Sequence, residues 1–414
     1  MHLTDEERHI LDGGQGDALA RLMREQVEVG EFFGAERMVP ISNAHFMGDL
    51  EVLGEAGLDY LTRLADSGAR VRVATTRNAQ SVDFAHAALL GQDDRLVEGE
   101  RTVREVLGRL GVSTVNTCIG YQTVYQPRFG EHVAWGDTGT VAYANSVLGA
   151  RSNYEAGAAG IAAALTGRTP AYGFHLDDAR RGNVRVRVKA AMRDLADWGA
   201  LGALVGERCR GYWNVPVLEL DTAAPGPDEL KHFGASLASF GSVAMYHVVG
   251  VTPEAPTFEA AARGRALNDE LEVADADIES VFDRDLREGG DIDLVVFTAP
   301  QLSFFEVKRI ADALAGRRVA DGVRLLLTTN SLVCRGADDQ GLLSAITDAG
   351  GVVLQGTCWY VMDPAAQRER FGWRRLATNS AKLVNIIRAH GYEPALRRTD
   401  DCLDAALTGK LAPR

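Results

Sequence analysis

The C-terminal half of the chain alternates short, unbroken apolar runs with amphipathic segments, and this alternation constrains the fold more than any other feature. DLVVFTAP is followed by QLSFFEVKRIADALAG, VRLLLTTN by a segment carrying Leu342, Leu343 and Ile346, and GGVVLQGTC comes next. Apolar runs of this length, bounded by turn residues, read as strands buried on both faces. In the helical segment, Val307, Ile310 and Leu314 form an apolar stripe, and Ser303 and Glu306 stand at capping-box spacing at its start. Such strands joined by helices require a parallel sheet with helices on its faces. The N-terminal half shows the same pattern more sparsely. Leu19, Leu22, Met23 and Val27 predict a helix with Asp17 as its N-cap, and RVRVATT, with Val71 and Val73, predicts a strand. Gly167, within Leu165 to Pro170, is the stop signal of an Ala-rich helix. The stretch Thr222 to Glu229 holds two prolines and a glycine without periodicity. It is the predicted linker between an N-terminal α/β region, 1–222, and a C-terminal α/β region, 229–414.

The 414 residues carry a formal net charge of -13, which argues against nucleic acid as the main partner because phosphate binding needs a basic surface. A local basic pocket for a small anion is compatible with that charge. No apolar run is long enough to span a bilayer, and the start, MHLTDEERHILDG, is too acidic for a signal peptide. The expectation is a soluble, cytoplasmic protein without a membrane partner. Cys118, Cys209, Cys334, Cys358 and Cys402 are odd in number and widely spread, unlike a disulfide framework. With no CxxC, any metal site must be assembled from residues distant in sequence.

Several apolar strands end in small polar clusters: Thr75, Thr76 and Asn78; Asn116, Thr117 and Cys118; Thr328 to Ser331; Thr357 and Cys358. In open parallel sheets ligands bind beyond the carboxyl ends of the strands, where helix N-termini offer free amide donors. The simpler account is that these residues only cap helices. Two of the clusters hold a cysteine, which capping does not require.

Several long stretches carry a family resemblance. They are LTDEERHILDGGQGDALARLMREQVEVGEFFGAERMVPISNAH, TCIGYQTVYQPRFGEHVAWGDTGTVAYANSVLGARSNYE and LTGRTPAYGFHLDDAR, then YHVVGVTPEAP, TTNSLVCRG, GTCWYV, TNSAK and DCLDAALTG. Together they resemble the catalytic large subunit of the aconitase X family, in family order from about residue 3 to residue 410. The resemblance implies a multi-domain, aconitase-like α/β fold of parallel sheets flanked by helices. It also implies a hydro-lyase acting on a small hydroxy acid, with a phosphorylated mevalonate and a cis-3-hydroxyproline as family substrates. The family's swivelling domain has no room after DCLDAALTG, so a separate small subunit is expected to carry it and to contribute a serine.

The resemblance further implies an iron–sulfur cluster on three cysteines. Cys118 and Cys358 match two of them. The third belongs to a Gly-Cys-Pro-His type motif, which reads Thr298-Ala299-Pro300-Gln301 here, and alanine has no ligand atom. Cys334 is the candidate replacement; its alternative is a small buried hydrophobe. Two further departures are Ile119-Gly120 in place of Thr-Pro, and Gly139 in place of serine. The departures gather around the presumed site while the scaffold motifs stay intact, which points to a shifted substrate, an altered cluster or a dehydratase without iron.

Ser380 and Lys382 are the candidate catalytic residues, Asn379 beside them is a candidate for substrate binding, and Lys382 is the charged member of the group. It would bind a substrate carboxylate, or act in proton transfer if desolvation lowers its pKa. His45 is a candidate hydrogen-bonding partner or a satisfied core histidine. Asp137, Thr138, Asn145 and Arg151 form a polar group on one loop and helix, in which Arg151 suits an anion or an internal ion pair. Three functions stay open: a cluster-bearing dehydratase, a cluster-free lyase or isomerase, and a non-catalytic subunit of the same fold.

Overall fold

The apolar runs of the C-terminal half pair side by side. In the computed structural model, which describes residues 1–414, they form a five-stranded sheet in the order Val352–Gln355, Arg324–Thr329, Leu294–Phe297, Arg375–Thr378, Glu393–Leu396. All neighbours are parallel. Successive side chains leave a strand on opposite faces. Val295, Phe297, Leu325 and Leu327 therefore meet Val307, Ile310 and Leu314 of the helix Phe304–Leu314 on one face. Leu294, Val296, Leu326 and Leu376 meet Trp359 and Leu383 on the other. Covering both faces is what makes these strands uninterrupted apolar runs. The helix Phe304–Leu314 starts in the expected capping box of Ser303 and Glu306, and burying a side chain such as Leu314 stabilises it by about 2 kcal/mol.

Two more parallel sheets precede this one. The first has three strands, Ala74–Arg77, Asn43–Phe46 and Ala134–Trp135. The second has four, in the order His247–Val248, Pro216–Leu220, Val184–Val188, Asp269–Val273. Parallel sheets flanked by helices are thus the main architecture, beside two short antiparallel pairs, Met38–Pro40 with Arg168–Pro170 and Gly290–Asp291 with Lys410–Leu411. No helix is long and apolar enough to cross a membrane.

The proposed linker falls inside one of these sheets. Thr222 to Glu229 joins the strand Pro216–Leu220 to the helix Pro227–Gly241, and His247–Val248 then returns to pair with Pro216–Leu220. A division at 222–229 would split a hydrogen-bonded sheet. The prolines have a local cause instead: Pro227 sits in the first turn of its helix, where the missing N–H costs nothing.

Other differences are local. The helix Asp17–Phe32 is preceded by Gly16, and Asp17 lies inside its first turn, where a carboxylate favours the positive end of the helix dipole. The strand near Val71 and Val73 begins only at Ala74, because the N–H groups of Val71 and Arg72 bond to Leu110 O and Ala164 O at helix ends. The Ala-rich helix Ala158–Thr166 stops at left-handed Gly167 as expected.

The helix Pro227–Gly241 packs against Leu195–Cys209, Thr138–Ser146 and Ala381–Ile387. Its crossing with Leu195–Cys209 is close: a Cβ on Gly241 would lie 2.4 Å from Gly206 O. This tight packing fixes the spacing of the two shorter helices, whose first turns face each other at the site.

Candidate active site

Loops leaving the carboxyl ends of the three-stranded and five-stranded sheets meet, as the parallel topology requires of a ligand site. From the first sheet comes Asp137, whose carboxylate caps the helix Thr138–Ser146 by accepting from Thr140 N at 3.2 Å. From the second comes Ser380, which caps the helix Ala381–Ile387 by accepting from Leu383 N at 3.1 Å. The two caps bring Lys382 and Thr138 together. Lys382 Nζ donates to Thr138 Oγ1 at 2.9 Å and stands 3.8 Å from Asp137 Oδ1.

Burial pulls the Lys382 ammonium down, but nearby acidic groups, Asp137 foremost, hold it above its ordinary value. Desolvation thus does not lower its pKa on balance, so the condition under which this lysine would act as a base is not met. Lys382 is an ammonium in the resting site.

Cys118 and Cys358 both lie among its neighbours. Burial, Asp137 and Cys358 push the Cys118 thiol up to about 12, and burial also raises that of Cys358. Cys118 Sγ accepts from Gln301 N at 3.2 Å, and Cys358 Sγ from Thr298 Oγ1 at 3.8 Å. Cys334 does not join them. It lies on the buried face of the helix Ser331–Asp338 with Val333 and Ala337, and burial followed by Asp83 and Asp338 raises its thiol to about 12. It lines a cleft of about 510 Å³ with Asp83, His86 and Arg104, whose wall also includes Asn116. Helical phase, set by Asn330 capping that helix, turns the side chain into core.

An iron–sulfur cluster of the family type needs three thiolates. Here two cysteines are present, and the third position is Ala299, whose methyl packs in an apolar cluster with Trp359 and Leu383. No group of three or more His, Cys, Asp or Glu side chains is arranged to hold a metal ion. The residues present do not fit a three-cysteine cluster.

Gln301 is the side chain that sequence reasoning passed over, although its place at the end of the altered motif marked it. It is fully buried; its Oε1 accepts from Cys118 N at 3.3 Å, and its Nε2 donates to Asn116 O at 3.3 Å and Thr357 O at 2.9 Å.

His45 Nδ1 lies 2.8 Å from Thr76 Oγ1, and burial lowers the imidazole to about 4, so it is neutral. Its Nε2 is buried without a partner, as are Asn78 Oδ1, Asn116 Oδ1 and Thr357 Oγ1. Asp137, and after it Asn78, pull the imidazole back up, but less than burial lowers it. Orphaned buried polar atoms are rare and mark places where a ligand or water binds.

Other candidates are spent in the scaffold. Thr75 Oγ1 donates to Val73 O, Thr117 Oγ1 accepts from Ile119 N and Asn330 Nδ2, and Asn379 Nδ2 donates to Thr399 Oγ1. Asn145 is fully committed to backbone and Arg180. Arg151 pairs with Asp177 and donates to His175 O at 2.8 Å, the internal alternative read for it. Ser380 Oγ also donates to Ala299 O at 2.6 Å, so its hydroxyl is engaged on both sides.

Comparison with known proteins agrees with this architecture. Family models described as the Aconitase X first, second and third domains match residues 1–178, 182–283 and 292–408. A phosphomevalonate dehydratase large subunit from Thermococcus kodakarensis is 34% identical over 98% of this chain and 100% of its own length. A cis-3-hydroxy-L-proline dehydratase from Pseudomonas aeruginosa is 35% identical over 98% of this chain and 70% of its own length. The crystal structure of Thermococcus kodakaraensis aconitase X in its holo-form superposes with a TM-score of 0.87 at 33% identity, covering 98% of this chain and 100% of that one. Three domain matches in order and near-complete coverage of these relatives make the chain a member of the aconitase X family.

Proposed function

We propose that Lys382 is the cation around which a dehydration site for a small hydroxy acid is built. The chain is a hydro-lyase of the class to which its dehydratase relatives belong. Its substrate is a compact carboxylic acid bearing a hydroxyl, either a phosphorylated branched acid or a cis-3-hydroxyproline. The large-subunit relatives imply a small partner subunit, which completes the pocket and supplies the serine expected from the family resemblance.

The observation that carries this reading is the ammonium of half-buried Lys382, 2.9 Å from Thr138 Oγ1 and charge-balanced by Asp137. An ammonium has three donors. Thr138 accepts from one, leaving others for an anion. Held protonated, Lys382 serves as an acid and an electrostatic clamp.

In the elimination, the electron pair of the C–H bond next to the carboxylate becomes the new C=C bond. The C–O pair leaves with oxygen, which takes a proton from Lys382 Nζ and departs as water. The proton lifted from carbon goes to the partner serine, which enters the step as its alkoxide, and passes from the hydroxyl so formed to Lys382 as the site resets. Neutral His45 and the amide oxygens of Asn78 and Asn116, which lack internal partners, orient the substrate's polar groups. No step is assigned to an iron–sulfur cluster, because the donor set does not fit one.

The test is to co-purify the chain with its small subunit and assay formation of the unsaturated acid from each of the two substrate types. Turnover of one of them is the expected result. A complex that neither dehydrates nor is thermally stabilised by either acid would overturn the reading.

A further inference from the structure

We propose that Gln301 takes over the cross-linking that a metal cluster would otherwise provide: it is a positioning residue that holds the Cys118 and Cys358 loops together in an iron-independent enzyme. The catalytic consequence rests on the hydro-lyase reading above; the metal and thiol chemistry does not.

A cluster ligated by cysteines from three loops ties those loops to one another. Here the same three segments are tied by an amide. Gln301 Nε2 reaches Asn116 O in the Cys118 loop and Thr357 O in the Cys358 loop, while Oε1 accepts from the Cys118 backbone N–H. A glutamine side chain offers two donors and two acceptor sites. Three of these four are used, all in a fully buried setting where leaving one unpaired is costly.

The loop that carries Gln301 is fastened independently. Gln301 O accepts from the buried ammonium of Lys231 at 3.2 Å, which is itself paired with Glu306 and with Asp228. Gln301 N donates to Cys118 Sγ at 3.2 Å, and Ala299 O accepts from Ser380 Oγ at 2.6 Å. The last bond links the loop to the helix of Lys382. At Ala299 the would-be ligand is a methyl group in the apolar cluster of Trp359 and Leu383. Two of the quartet's three changes thus serve one end: alanine removes a ligand, and glutamine supplies the hydrogen bonds that keep the loops in register.

Two measurements on the complex of the full chain with its small subunit test this. After anaerobic reconstitution with ferrous iron and sulfide followed by desalting, the complex is expected to retain no stoichiometric iron or sulfide and no visible absorption band. Stoichiometric uptake with a band that disappears in Cys358→Ser would overturn the proposal. In Gln301→Ala, alkylation of Cys118 and Cys358 by a small thiol reagent should be about tenfold faster than in the wild type. Cys209, Cys334 and Cys402 of the same molecule should keep their rates. Unchanged reactivity at Cys118 and Cys358, or equal acceleration at all five cysteines, would remove Gln301 from the role. If no dehydration is found at all, the functional reading fails while both measurements still decide this one.

Discussion

At the N-terminal end of the helix Thr138–Ser146, Asp137 and Thr138 face Lys382 with hydrogen-bonding capacity to spare; at its C-terminal end, Asn145 has none left. Asn145 Nδ2 donates to Ser152 O at 2.9 Å and Ala244 O at 3.0 Å, while Oδ1 accepts from Ser152 N at 3.0 Å and Arg180 Nη1 at 3.4 Å. Arg180 in turn is buried against Glu254, with Nε at 2.8 Å and Nη2 at 2.5 Å from Oε1. Both ends are polar and buried, and in the sequence they look alike. What separates them is valence: a side chain whose donors and acceptors are all matched internally has nothing to offer a ligand.

The comparison can be broken from its structural end. Replacing Glu254 by alanine leaves the Arg180 guanidinium buried with its carboxylate gone and should cost about 3–5 kcal/mol in urea unfolding. Turnover per folded molecule should not change. A loss of kcat without loss of stability would place Arg180 in the site.

The buried set under the Gln301 loop belongs with that structural end. Burial alone would raise the Glu306 carboxyl, but Lys231 foremost, with His232, holds it down to about 2. A carboxyl depressed in the folded state contributes stability that is complete above its ordinary value of 4.5 and lost as pH falls toward about 2. Glu306→Gln should flatten stability over that window, an effect on the order of 2 kcal/mol. An acid limb identical to the wild type would show that the ion set contributes nothing.

Asn145→Ala should cost about 2 kcal/mol of stability by stranding buried backbone groups, again with kcat preserved. At the other end, Thr138→Val removes one hydrogen bond to a charged group. It should lower kcat/KM about tenfold, the equivalent of about 1.4 kcal/mol, with the unfolding midpoint unmoved.

The parallel sheets were readable because their strands are covered on both faces. Leu294 to Phe297 is apolar at every position for that reason, and Ser303 with Glu306 announced the helix that follows. The family motifs singled out Lys382 and Thr138 separately, but not their contact, since nothing in local spacing relates residues 244 apart. The charge state of Lys382 was not readable, because it depends on Asp137 arriving from another sheet.

Cys334 misled for a physical reason. TTNSLVC ends a strand in polar residues, which is how a site looks, yet Asn330 is a helix cap and the next turn carries the thiol into the core. Thr222 to Glu229 misled similarly: prolines that start a helix resemble prolines that separate domains. Asn145 and Arg151 were indistinguishable from Asp137 and Thr138 because matched valence is a property of tertiary contacts.

The most direct test is steady-state turnover of the Lys382→Met complex, which keeps the side chain's bulk and removes its charge. The site described here predicts a fall in kcat/KM of at least about a hundredfold, as for loss of a principal electrostatic donor, with the unfolding midpoint close to that of the wild type. Turnover within about twofold of the wild type would contradict it.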